Sequence, residues 1–413
     1  MTLLTKHADL TTTWGPDVRA LLGGYNASRV MYADDPHPGV AAVVANGTTN
    51  DAATVQAQLD YVKATWGSGR LVLPPNRALK MNAGITIPAK VQLVMDPTTT
   101  LDFSALSTTA GVAITISDSD FTPLVGGLVV GPSGDPRSTP TNTADVSIGL
   151  KVTGVRLNLV DVQVKSFGRG IRGSHSDTWS ISYLGGAIYQ CYYNIWWDNN
   201  ADAATNAGES ITFERTTIYN AVKGMRITGN GVSAFFEKCR IDYLLNRFGE
   251  IEDAWVYFTD CHIEVGATQI SYLFDVDKNA HVFFTGCRIL MGAGSPNITH
   301  FVFNPAKAPW NLTFGGARFT TSTVFYVNPS GANSEQNSEY MLEFPANTTT
   351  LTFHTPYPVR WCPVSADFVS SDFRTLTAND TVRVGWSDSA SGNVTLTASA
   401  SSTSIRFVRV LFH

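Results

Sequence analysis

Five short stretches of this chain can be laid over one another so that apolar and polar positions coincide: ITFERTTIY, AFFEKCRID, VYFTDCHIE, VFFTGCRIL and LTFGGARFT. Phe213, Phe236, Phe258, Phe284 and Phe314 fall in one column. Three positions on stand Thr216, Cys239, Cys261, Cys287 and Ala317, and five positions on stand Ile218, Ile241, Ile263, Ile289 and Phe319. The pattern extends back more weakly to Tyr183, Gly186 and Ile188 and to Leu159, Val162 and Val164. Local alternation with period two predicts β-strands with one face buried. Recurrence every 22 to 30 residues predicts a stacked solenoid in which each repeat is one coil. Equivalent strands of neighbouring coils then pair in parallel, about 4.8 Å apart, and like residues form ladders inside the tube. A second strand follows in each coil, at Gly170–Arg172, Asn194–Trp196, Met225–Ile227, Leu273–Val276, Phe301–Phe303 and Val324–Val327.

The pattern changes at both ends. Residues 1–45 read as an N-terminal connector containing the Pro/Gly-rich stretch DDPHPG. Over about 52–66, Val55, Leu59 and Val62 share one helical face, with Asn50 or Asp51 placed to cap the start and Gly67 and Gly69 to stop the end. Residues 46–333 are expected to form the coil stack. After about Gly331 the repeat ceases, and LTFHT, TVRVGW, NVTLTAS and SIRFVRVLF alternate between turn signals. Residues 334–413 are therefore expected to form a small antiparallel β domain that caps the solenoid or joins subunits.

The entry segment resembles that of the pectate-lyase-like superfamily. Gly47, Asn50, Asp51, the helix from Ala52, Gly69, Leu71, Pro74, Pro75, Ile85, Ile87, Pro88, Val91 and Leu93 match its acidic motif, capping helix and first coils. Asn76 replaces a glycine, and Thr48-Thr49 interrupt the acidic motif. The resemblance implies an all-β, right-handed parallel β-helix with a short N-terminal helical cap and a C-terminal antiparallel domain. The phrase GESITF, around Glu209, is similar to a motif of phage tailspike depolymerases. That likeness implies a homotrimeric virion protein that attaches to other tail proteins through its N-terminus and acts on bacterial surface polysaccharide.

Composition narrows the partners. A net charge of −5 lacks the basic stripe that nucleic-acid binding needs. No apolar run reaches the roughly 20 residues that span a bilayer, and the first residues carry no leader-like apolar core. The five cysteines are widely spaced with no C-x-x-C, so the Cys239–Cys261–Cys287 column is read as core packing. Neither a metal nor another cofactor is expected. The polygalacturonase motif set and the acidic cluster of calcium-dependent pectate lyases are both absent from the sequence.

Candidate chemistry lies on the outward columns. Six positions after the phenylalanine column come Lys165, Tyr189, Tyr219, Asp242 and Glu264; two positions earlier come Arg240 and His262. Asp242 and Glu264 are expected on adjacent coils of a solvated outer face. Like charges stacked in a ladder cost free energy unless a partner or a function offsets it, and Arg240 and His262 could supply plain neutralisation. Glu209 and Glu237 are the next catalytic candidates, with Asp260 beside them as a sugar contact. Glu214 is a stacked equivalent of Glu237. Glu250, Glu252 and Asp253 are expected to crowd a turn after Phe248. His175 and Asp177 form a weaker pair. Trp179, Trp196, Trp197, Trp255 and Trp310 are sugar-stacking or core residues. Two carboxylates favour a glycoside hydrolase. Tyr or His with Lys or Arg would suit β-elimination on a uronic acid. A non-catalytic receptor-binding fibre is the third reading.

Overall fold

The computed structural model describes residues 29–117, 119–138, 144–173, 178–199, 208–265, 274–277, 280–291, 301–302, 311–315, 318–320, 325–326, 339–344, 347–354, 364–369, 382–388, 393–402 and 406–412. Two compact units divide the chain: residues 1–197 with 201–217, and residues 198–200 with 218–413.

The first unit is a parallel β-helix. One face stacks Val30–Tyr32, Gly69–Val72, Val91–Val94, Ser119–Val125, Val155–Val160, Ile181–Leu184 and Ile211–Glu214, each parallel to the next. A second face stacks Ala78–Lys80, Thr100–Asp102, Leu128–Val130, Gln163–Lys165 and Ala187–Tyr189. A third runs from Ile85–Ile87 through Val112–Ile116, Ile148–Val152 and Arg169–Gly173 to Tyr193–Asp198.

One helix, Ala52–Trp66, buries Val55, Leu59 and Val62. Its Gln56 side chain donates to the carbonyl of Thr86 (3.0 Å) and accepts from the Thr86 N–H (2.7 Å). The helix thus supplies hydrogen bonds to the strand Ile85–Ile87, as a cap must for a sheet edge. Asp51 stands at the N-cap position without capping through its side chain. Its buried carboxylate instead accepts from the N–H groups of Val44 (2.8 Å) and Ala45 (3.0 Å), tying the incoming chain to the helix start.

The second unit continues the parallel pattern. Lys223–Glu237, Arg247–Thr259, His281–Thr285 and Asn311–Gly315 stack in register, as do Arg240–Asp242, His262–Val265, Arg288–Met291 and Arg318–Thr320. Glu250, Glu252 and Asp253 lie within the single strand Arg247–Thr259 rather than in a turn. A register shift between Thr228 and Val232 absorbs the irregularity in the strand before it. Two antiparallel sheets follow, one of Glu339–Phe344, Arg406–Phe412 and Val364–Val369, the other of Thr350–His354, Asn393–Ala398 and Val382–Asp388.

The expected ladders are the core. Phe236, Phe258 and Phe284 are buried and stack at 4.9 and 4.8 Å with nearly parallel rings. Phe314 and Phe319 keep the register, at Phe284↔Phe314 and Ile289↔Phe319, but their side chains lie outside the described residues, as does Ala317. A hydroxyl or thiol in the column three positions on can donate a hydrogen bond to the coil before. Thr216 Oγ1 donates to the carbonyl of Tyr183 (3.3 Å), Cys261 Sγ to Phe236 (3.1 Å) and Cys287 Sγ to Phe258 (3.2 Å). Burial pushes the Cys191 thiol up to about 12, and the adjoining ladder thiols together with burial raise Cys261 and Cys287.

Corners repeat as faithfully as strands. Two positions after the phenylalanine column the backbone turns left-handed at Asp161, Gly185, Arg215, Lys238, Asp260 and Gly286; seven after it, at Ser166, Gln190, Asn220 and Tyr243. Each three-residue strand between them is held at both ends. Its middle residue points inward and its outer two point away.

Replacing Phe258 with Ala removes the centre of a stacked triplet and should cost about 3–5 kcal/mol, read as a lower midpoint in denaturant. Cys191, Cys239, Cys261 and Cys287 are buried and unbridged. They should not react with a thiol reagent in native protein and should react on unfolding.

Candidate active site

Parallel pairing brings Asp242 opposite Glu264 and Arg240 opposite His262. The two carboxylates meet different surroundings. Asp242 is only 2% exposed rather than part of a solvated face. Its Oδ2 accepts from the Arg240 Nε, while Oδ1 is buried and accepts no hydrogen bond among the described residues. Burial raises its pKa, outweighing the opposing pull of Arg240 and His262, and the Glu264 charge adds to the rise. Glu264 is more open, with one oxygen hydrogen-bonded and a histidine near the other. The Tyr243 hydroxyl donates to Oε1 at 3.1 Å, and His262 Nε2 lies 3.6 Å from Oε2. Arg240 is largely exposed.

Asp242, His262 and Glu264 each offer a ligand atom within 4.8 Å of the other two, a spacing that a metal ion would need. Arg240 already balances the Asp242 charge, so a cation there would compete with a guanidinium.

The other candidates of the second unit are Tyr219, Glu237 and Asp260. Tyr219 is half-buried on the strand flanking Arg240–Asp242, where the Asn220 N–H donates to the Asp242 carbonyl at 3.2 Å. Burial raises its hydroxyl pKa. Glu237 is exposed one position before the corner at Lys238, in register with Thr259. Asp260 is exposed and is itself a left-handed corner. Its carboxylate lies where a Cβ on Gly286 would have to go, 2.4 Å away, so it fills the bend of the ladder. Glu209, Lys165 and Tyr189 belong to the first unit. Glu209 is exposed, and its carbonyl accepts from the Ser180 N–H. The Lys165 amine sits over the Tyr189 ring, 5.9 Å from its centre. Glu214 pairs with Arg215 at 3.3 Å. His175, Asp177 and Trp310 lie outside the described residues.

Among the tryptophans, Trp197 is core. Arg169 and Arg156 cover the rings of Trp196 and Trp179. Trp255 is 43% exposed and stacks on His281.

Sequence reading missed two features. Tyr243 follows Asp242 directly but sits on a corner, outside both outward columns. Glu250 belongs to a dense ionic ladder: Lys223 (2.6 Å) and Arg247 (3.2 Å) meet one oxygen and Arg226 (3.0 Å) the other. Arg226 also pairs with the buried Asp198, and Arg247 with Asp275 (2.7 Å). Three acids face three cations, a balanced arrangement that suits holding coils together. The signal was present in the alternating charges at Lys223, Arg226, Arg247, Glu250 and Asp275.

No protein-family model matches the chain, and no curated protein matches its sequence. Solved structures do. The Dettilon tailspike protein gp208 is 12% identical, with a TM-score of 0.43 over 99% of this chain and 98% of that one. PfbA, a surface adhesin of Streptococcus pneumoniae, is 11% identical, with a TM-score of 0.48 over 74% and 80%. A tailspike mutant of E. coli bacteriophage HK620 in complex with a pentasaccharide is 9% identical, with a TM-score of 0.40 over 94% of each chain. No helix among the described residues is long and apolar enough to cross a membrane.

Glu250→Gln should weaken the contacts to Lys223, Arg226 and Arg247 and cost about 1–3 kcal/mol of stability. Activity per folded molecule should be unchanged. Thermal unfolding and a cleavage assay on the same preparation test both halves.

Proposed function

We propose that this protein cleaves a bacterial surface polysaccharide by glycoside hydrolysis, with Asp242 and Glu264 as the catalytic pair. The carrying observation is the asymmetry between two carboxylates on adjacent rungs: one buried with a raised pKa, the other open, hydrogen-bonded at one oxygen and with a histidine near the second. Glycosidic cleavage requires one protonated and one ionised carboxyl. Asp242, its Oδ1 without a hydrogen bond, takes the acid role. Glu264 is the ionised member.

An oxygen of each acid lies within 4.8 Å of the other. Retaining enzymes hold their pair about 5–5.5 Å apart and inverting ones roughly 6.5–9.5 Å, so this spacing favours retention. Asp242 would protonate the leaving oxygen while Glu264 attacks the anomeric carbon, forming a glycosyl ester. Asp242 would then take a proton from water as that water releases the sugar. Arg240, exposed beside the pair, suits an anionic sugar.

The tailspike reading rests on the sequence resemblance around Glu209 and the entry segment, and it carries the homotrimer, the virion location and attachment through the N-terminus with it. An outward ladder of Phe235, Tyr257 and Phe283, stacked at 4.9 and 4.7 Å, supports a subunit contact. Its rings cover one another's faces and remain partly exposed. Light scattering should give three times 44.7 kDa; the monomer mass would remove the trimer.

β-Elimination is the second reading, favoured by Arg240 and His262 beside the pair. Lyase products carry an unsaturated bond absorbing near 232 nm and hydrolase products do not. On a panel of capsules and O-antigens, new reducing ends without that absorbance are expected. Asp242→Asn and Glu264→Gln should each lower cleavage by about a hundredfold or more while glycan binding persists. Cleavage should also fall as pH rises through the raised pKa of Asp242, because the acid is then lost. The same shift has a stability consequence. Above the ordinary carboxylate range the folded state binds more protons than the unfolded state, so stability declines with pH until Asp242 ionises. Asp242→Asn should flatten that decline. Full activity in both amide variants would move the site elsewhere.

A further inference from the structure

Tyr243 is an unusual residue for its place. Its φ is +49°, in the left-handed region, where a bulky side chain is strained and asparagine is tolerated. One coil earlier the same corner is occupied by Asn220, and in the first unit by Ser166 and Gln190. Tyr243 is also 46% exposed, so burial of its ring does not explain it. What it does contribute is a hydroxyl that reaches the next coil and donates to Glu264 Oε1 at 3.1 Å. Backbone strain of this kind persists where surrounding structure or function offsets it.

We propose that Tyr243 is a positioning residue of the cleavage site, its hydroxyl fixing the Glu264 carboxylate against Asp242. This rests on the reading of Asp242 and Glu264 as the catalytic pair. The groups around Glu264 leave this task to Tyr243. His262, on the same strand, is 3.6 Å from Oε2, beyond a good hydrogen bond. Arg240, from the coil before, is engaged with Asp242. In the coil after, Leu290 stands opposite Glu264, and Arg288 stands opposite His262. Oε1 is therefore oriented by the phenol. A nucleophilic carboxylate must meet its target within a narrow angle, and loss of orientation lowers the rate of the chemical step more than it weakens binding.

Two variants separate this role from a structural one. Tyr243→Phe keeps the ring and removes the hydroxyl. Tyr243→Asn also removes it, but places at φ +49° a residue that suits that backbone. Both should lower kcat by about tenfold to a hundredfold with KM within about twofold. Tyr243→Asn should unfold at a temperature equal to or above that of the parent protein. A structural residue would show the reverse, with lost stability and kept kcat. In a Glu264→Gln background, Tyr243→Phe should bring little further loss, because the carboxylate that the hydroxyl orients is no longer there to react. Unchanged kcat in both variants, or losses that multiply with Glu264→Gln, would overturn the proposal while the catalytic pair stands. Full activity of Glu264→Gln alone would overturn the pair and the proposal together.

Discussion

Parallel stacking of one coil on the next is the constraint on which the rest depends. Each rung fixes its neighbour about 4.8 Å away, so a residue's column decides its contacts. Inside, this rewards repetition. A phenylalanine packs best on a phenylalanine held at the same angle, and the centroid spacings of 4.9 and 4.8 Å in the Phe236–Phe258–Phe284 ladder are the rung spacing itself. The thiol column obeys a second rule. Its residue sits beside a bend, where threonine and cysteine add a hydrogen bond to the carbonyl of the coil before. Three cysteines in line are therefore a packing solution rather than a redox device.

Outside, the same constraint works against like charges, and the second unit meets it in two ways. Around Glu250 the acids Glu250, Asp198 and Asp275 each meet a cation from Lys223, Arg226 and Arg247. At Asp242 and Glu264 the match is incomplete. Arg240 meets one oxygen of Asp242, and its other oxygen is buried without a hydrogen bond. Burial makes a charge on Asp242 costly, the Glu264 charge adds to that cost, and the raised pKa of Asp242 expresses both. A matched set of charges lowers the energy of the fold. An unbalanced one retains a protonation difference that chemistry can use.

Those physical rules explain which parts of the protein the sequence disclosed. Column arithmetic gave the coil register, because in a parallel stack equal position means contact. It sets Asp242 opposite Glu264 and Arg240 opposite His262, as the strands pair. It could not give burial: Asp242 and Glu264 occupy equivalent positions, yet one is 2% exposed and the other is open. That difference comes from residues that do not repeat. Tyr243 escaped for a related reason. Corner residues belong to neither the inward nor the outward set, so alternation is silent about where they point. Of the two residues placed to cap the helix, Asn50 accepts from the Ala52 N–H at 3.2 Å, while the incoming chain claims the Asp51 carboxylate. The run Glu250-Ile251-Glu252-Asp253 looked like a turn on its charge density alone, while cations three and more residues away made it a strand.

The corners carry the final step of the argument. The strand Arg240–Asp242, between left-handed bends at Lys238 and Tyr243, has little freedom to shift, and its pairing with His262–Val265, which follows the bend at Asp260, places Glu264 in the same ladder. That is the rigidity a pair of catalytic carboxylates needs. It also means that the bends are where a site can recruit extra groups without disturbing the stack. A residue at a bend is outside the pairing, and its side chain can lean across to the next rung. Asp260 leans over Gly286 and fills space. Tyr243 leans over Glu264 and donates a hydrogen bond. The two corners share a backbone conformation and differ in what the side chain meets. The solenoid thus supplies the geometry by repetition, while its chemistry depends on the places where the repetition is broken.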